Sequence, residues 1–175
     1  MAVRSDSPEM NLVPPFLPEQ GKLSEFRFNE PLPIPGPTPI SLFDATLAST
    51  FLLVDDPGDR VWVNAAVSWY ADFTAVNQQV DVTFYIERDG IALYAVAQSL
   101  GTPVAPTPPA TTVRVQNGVR LQFVDQPLSA LATPELRPVV YSLRAYSDSP
   151  LTFTIGPVTL GAAEIEPNLL SPALS

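Results

Sequence analysis

The sequence predicts an all-β, antiparallel domain behind an extended, proline-rich N-terminal arm. Three observations predict it. Residues 80–100, VDVTFYIERDGIALYAVAQSL, read as two strands joined by Asp89-Gly90. That pair favours a type I′ turn, in which both central residues need positive φ. Residues 60–73, RVWVNAAVSWYADF, alternate with period two along their length, the pattern of a strand with one face in a core. Finally, nine of the 21 prolines precede Ile40, where they forbid helix; nowhere else does the chain promise a long helix.

Taken in order, residues 1–39 form the arm, extended or polyproline II-like. It holds Met10, Leu12, Val13, Phe16, Leu17, Phe26 and Phe28, more large apolar residues than a disordered tail carries. Two readings stay open, a disordered tail and a segment that docks through these anchors; the anchors favour docking. Residues 40–54 are the first strand region, with a bulge or break expected at 45–49. Residues 55–59, DDPGD, form a turn. Three acids there raise the question of calcium, but the loop lacks the alternating spacing and terminal Glu of an EF-hand. A Pro-Gly turn with solvated carboxylates is the expectation.

In the long strand that follows, Val61, Val63, Ala65, Val67, Trp69, Ala71 and Phe73 should face the core. Trp62, Asn64, Ala66, Ser68, Tyr70 and Asp72 face away, a set too apolar for an ordinary wet face. It is either a subunit contact or a sheet face with two exposed aromatics. In the hairpin, a strict two-residue turn sets Ile86 against Leu93, Phe84 against Ala95 and Val82 against Ala97 on the dry face. It sets Tyr85 against Tyr94 on the other.

Residues 101–110 are a stiff, proline-punctuated loop. Residues 111–125 read as a second hairpin around Asn117-Gly118, with a three-residue loop that places Arg114 beside Arg120. Residues 126–138 connect onward, with one helical turn expected at 128–132. Residues 139–147 and 151–165 are the last strands, the final one kinked at Gly156-Pro157. This gives eight or nine strands, an arm over 1–39, a β domain over 40–166 and a tail over 167–175.

Composition narrows function. The chain has 46% hydrophobic and 15% charged residues and a net charge of −9. That charge argues against nucleic acid, which needs a basic surface, and against anionic membranes. No signal peptide is visible in MAVRSDSPEMNL, and no apolar run is long enough to span a bilayer. With no cysteine or histidine, disulfides, thiolate metal sites, Cys nucleophiles and imidazole bases are excluded. Two carboxylates suffice for glycoside hydrolysis, but nothing singles out a pair among Asp72, Asp81, Glu87 and Asp125. No phosphate loop or nucleophile elbow is present. The expectation is a protein that is not an enzyme, with no cofactor and no metal. Trp62, Tyr70, Tyr85 and Tyr94 suit a subunit interface, where Tyr and Trp are enriched; a sugar platform is the alternative.

Three passages carry a family resemblance: VDVTFYIERDG, LQFVDQPL and VVYSLRAYSDSPLTFTIGPVTL. Through them residues 40–166 resemble the trimeric C-terminal domains of bacillus collagen-like exosporium glycoproteins and related spore-appendage proteins. The resemblance implies a TNF/C1q-like jelly-roll sandwich. The run NLVPPFLP at 11–18 is similar to the leader that anchors such proteins to the spore. With only 8 glycines the chain has no collagen repeat. The resemblance implies a structural, self-assembling subunit of a spore surface or other extracellular fibre, built from the mother-cell cytosol. Its expected partners are copies of itself, as a trimer or in a filament, and other spore-coat or exosporium proteins. A carbohydrate-binding module and a phage tail-fibre or capsid protein are the alternatives.

Overall fold

The computed structural model describes residues 22–30, 37–40, 42–102, 112–127 and 136–166. The described residues form nine strands: β1 (Lys22–Asn29), β2 (Thr38–Pro39), β3 (Ala45–Val54), β4 (Arg60–Phe73), β5 (Gln79–Arg88), β6 (Ile91–Gly101), β7 (Val113–Asp125), β8 (Arg137–Ser147) and β9 (Thr152–Glu166). One sheet runs β1-β9-β4-β7, with β2 also on β9; the other runs β3-β8-β5-β6. All pairings are antiparallel. Successive strands mostly alternate between the sheets, as in a jelly roll, the double-sheet architecture of two Greek keys. The expected fold class is what the chain adopts. The loop at 103–111, the connection at 128–135 with its expected helical turn, and the tail from 167 lie outside the described residues.

The core lies between the sheets. The inward set of β4 is buried as its alternation requires, together with Val82, Phe84 and Ile86 of β5, Leu121 of β7, and Tyr141 and Leu143 of β8. Trp69 packs on Phe84 across the sandwich, ring centroids 5.9 Å apart. The expected bulge in β3 falls between Thr46 and Ala48. Gly156-Pro157 kinks β9 without ending it: Gly156 has φ +72°, and the register against β4 shifts there.

Three local expectations fail. The Asp89-Gly90 turn is as foreseen, with φ of 49° and 87°, and Arg88 opposes Ile91. Two pairs later a bulge at Leu93 shifts the register, so Ile86 opposes Tyr94 and Phe84 opposes Val96. The shift turns Val96 and Leu100 onto the core. It also lets the Gln98 Oε1 accept a hydrogen bond from Trp69 Nε1 at 2.8 Å. Ala95 and Ala97, too small to fill that space, go outside.

The Asn117-Gly118 hairpin does not form. β7 runs straight through it, Asn117 opposite Trp69 and Gly118 opposite Ser68. The period-two pattern Val113, Val115, Val119, Leu121, Phe123 continues across the dipeptide, and β4 offers a partner along its whole length. Pairing over that length outweighs a local turn preference. Arg114 therefore meets Asp72 of β4, at 2.8 Å, not Arg120.

Third, two strands lie inside the stretch read as an arm. β1 occupies the proline-free interval between Pro18 and Pro31 and is an edge strand, where flanking prolines are tolerated. Its inward side chains seal the sandwich: Glu25 Oε2 accepts from Leu53 N–H at 2.9 Å, and Asn29 Nδ2 donates to the Ser49 carbonyl at 2.6 Å. These are backbone groups of β3, the facing edge. A truncation that probes the arm must therefore stop before Lys22.

The sandwich also sets two tyrosines apart. Burial, then the neighbouring Asp125, raises the Tyr141 pKa far above the ordinary tyrosine value. Burial, then a hydrogen bond to Asp44, pushes Tyr85 up to about 12. A raised folded-state pKa contributes stability in full below the unfolded value of about 10 and loses it as pH rises through the folded value. Alkaline titration followed at the tyrosinate band should therefore show Tyr85 ionising near pH 12 and Tyr141 only with unfolding, and Tyr141→Phe should remove that last step. Ionisation of Tyr85 and Tyr141 near pH 10, with the fold intact, would contradict the packing described.

Candidate interaction surface

Antiparallel register brings four residues into one row across the outer face of the β1-β9-β4-β7 sheet: Phe26, Ala163, Trp62 and Val124. The row two residues along is Phe28, Gly161, Asn64 and Gln122. Phe26 is 57% exposed, Phe28 54%, Val124 53% and Trp62 38%. Phe26, Phe28 and Trp62 wall a shallow groove with Asn64, Thr159 and Gly161. The Phe26 ring lies over Gly161, 3.6 Å from where a Cβ would stand, at ordinary van der Waals distance. Leu23, one bulge earlier on β1, is also exposed. A contiguous apolar area of this kind marks an interaction surface more often than isolated exposed residues do.

Phe26, Phe28 and Trp62 were expected interface residues, and the fold brings them together. The other expected aromatics lie elsewhere. Tyr70 sits at the far end of β4 and is 3% exposed. Its ring is stacked on Phe153, 5.2 Å between centroids, and covered by the Arg114 guanidinium at 3.7 Å. Arg114 is in turn held by Asp72. That intramolecular sandwich, invisible in the alternation pattern, removes Tyr70 from the exposed face. Tyr85 lies half-buried on the other sheet, beside an Arg144 that bridges Asp44 at 2.6 Å and Glu87 at 2.9 Å. Tyr94 is at the β6–β7 edge, stacked on Phe123 with centroids 5.9 Å apart. Met10, Leu12, Val13, Phe16 and Leu17 lie outside the described residues.

The DDPGD turn also differs from expectation. Gly58 N–H donates to Asp56 Oδ1 at 2.7 Å and Asp59 N–H to the Asp56 carbonyl at 3.1 Å, which closes the turn. Asp59 is not solvated; it is buried.

No family model matches the chain, and neither does any curated protein. Among solved structures it is similar to dimeric latent PorU from Porphyromonas gingivalis, at 8% identity and TM-score 0.40, over 85% of this chain and 13% of that one. It is also similar to the VP2 subviral particle of infectious bursal disease virus, at 12% identity and TM-score 0.38, over 92% of this chain and 46% of that one. The Gx strain of that virus gives 13% identity and 0.38, over 95% and 39%. The chain thus spans less than half the length of each. The jelly-roll assignment rests on the strand order.

Proposed function

We propose that this chain is a non-catalytic structural subunit that assembles with copies of itself through the outer face of the β1-β9-β4-β7 sheet. The observation that carries the reading is the exposure of Phe26, Phe28, Trp62 and Val124 in two neighbouring rows. A wet sheet face ordinarily presents polar residues, and at these four positions this one presents large apolar side chains instead. Burying a large apolar side chain at a contact contributes roughly 1.5–3 kcal/mol, so a few such residues can anchor an interface. The spore-surface setting and a trimeric state are what the three resembling passages imply. The arm ahead of β1, with Met10, Leu12, Val13, Phe16 and Leu17, docks on a neighbouring subunit in this reading.

Trp62→Glu tests it. The site is exposed enough to accept the charge in the protomer, while a carboxylate buried at a contact is costly unless paired. Light scattering should show a lower oligomer mass with an unchanged circular dichroism spectrum. A variant that keeps the full mass places the contact elsewhere. The second reading, a sugar platform, is favoured by Asn64 and Thr159 in the same groove; saturable glycan binding that Trp62→Ala abolishes would support it instead.

A further inference from the structure

Asp55, Asp59 and Glu164 place carboxylate oxygens within 4.8 Å of one another. The first two flank the Pro57-Gly58 turn between β3 and β4, and Glu164 comes from β9, far along the chain. Asp59 is 1% and Glu164 5% exposed, while Asp55 faces solvent. Each buried carboxylate spends one oxygen on the fold. Asp59 Oδ2 accepts from Asp56 N–H at 3.1 Å, and Glu164 Oε2 accepts from the Ser24 hydroxyl at 2.6 Å. The other two oxygens, Asp59 Oδ1 and Glu164 Oε1, are buried with no hydrogen-bond partner.

Nothing positive compensates them among the described ion pairs, none of which includes Asp55, Asp59 or Glu164. The charged groups acting on Asp59 are Asp55, Asp56 and Glu166; those acting on Glu164 are Asp59, Asp55 and Glu25. All are acidic. Burial, the largest influence, raises the pKa of both Asp59 and Glu164. Two buried carboxylates with free oxygens, no ion-pair partner among the described residues and acidic groups as their main charged influences are an arrangement that a bound cation would stabilise.

We propose that Asp55, Asp59 and Glu164 bind one hard divalent cation, calcium foremost, which ties the β3–β4 turn to β9. Calcium–oxygen distances of about 2.3–2.6 Å put opposed ligands up to about 5 Å apart, so the three carboxylates fit around a single ion. Calcium accepts carboxylates in one- or two-oxygen mode and fills its remaining positions with water, which the exposed Asp55 side admits. Magnesium demands a stricter octahedron. Structural zinc sites are built mainly from His and Cys, and this chain has neither. The sequence offers two of the three ligands, because the DDPGD turn gives no sign of Glu164.

Calorimetric titration of calcium chloride into full-length protein freed of metal with EDTA tests the site, with magnesium chloride and salt-matched sodium chloride as controls. Saturable binding of one calcium per chain is expected. Each tenfold rise in free calcium above the dissociation constant should then raise Tm by about 3–5 °C. Asp55→Asn, an exposed change that leaves the fold alone, should weaken binding about tenfold or more, since affinity follows ligand charge. Glu164→Gln should abolish the calcium-dependent rise, and in EDTA it should melt no lower than the parent because it relieves repulsion. No saturable heat at millimolar calcium overturns the proposal. So does an equal rise of Tm in both variants and the parent.

Discussion

Replacing Asp125 with alanine should lower the free energy of unfolding by about 3–5 kcal/mol, the range for removing one member of a buried ion pair. Asp125 ends β7 in one sheet. Its two oxygens accept from Arg88 Nη1 at 2.8 and 2.7 Å, and Oδ2 also accepts from the Tyr141 hydroxyl at 2.8 Å. Arg88 and Tyr141 are register partners in the other sheet, so a single carboxylate ties the two layers at one end. Truncation strands the Arg88 charge and the hydroxyl of a fully buried tyrosine. Arg88 keeps 22% side-chain exposure and can reach water, which places the effect toward the lower end of the range. Urea denaturation checks it, as a lower midpoint at unchanged m. A loss under about 1 kcal/mol, the size of a surface pair, would mean that the cluster does not join the sheets. Replacing Arg88, Asp125 and Tyr141 together by apolar residues of similar volume should recover much of the loss, because no buried charge or hydroxyl is left unpaired.

Trp69→Ala should cost a similar amount, about 3–5 kcal/mol, through a different cause. Trp69 is among the largest fully buried side chains, and interiors do not collapse fully around a deletion of that size. Its ring meets Phe84 of β5 and its Nε1 donates to Gln98 of β6, so the cavity opens where the layers cross. Trp69→Phe separates packing from the hydrogen bond. It keeps most of the volume, and the lost Gln98 contact should add about 0.5–1.5 kcal/mol. Equal losses in the two variants would assign the role of Trp69 to its hydrogen bond, not to its bulk.

Where the sequence alone predicts the structure, the determinants are local. The alternation of β4 needs only the pleat to place seven side chains inward, and Asp89-Gly90 needs only its own backbone to turn. Where the fold departs from the local pattern, the deciding contact comes from a distant strand. The bulge at Leu93 is settled by Gln98 reaching Trp69 in the opposite sheet. Asn117-Gly118 would turn in isolation but lies against β4, which extends past it on both sides. β1 was hidden by the prolines around it, although the gap between Pro18 and Pro31 was a usable signal. Of the interaction surface, Trp62 was legible from its face and Phe26 and Phe28 from their size, but their adjacency depends on β1 and β4 both pairing with β9. Tyr70 gave no hint that Arg114 and Phe153 enclose it. Glu164 beside Asp59 is a product of topology alone.

In the proposed assembly the exposed aromatic face is covered by another copy of the chain. Sedimentation equilibrium of the full-length protein tests it most directly. The account predicts a mass that is a multiple of the 18.9 kDa protomer, approached with rising concentration and reduced by Trp62→Glu. A mass of 18.9 kDa at every concentration would contradict it.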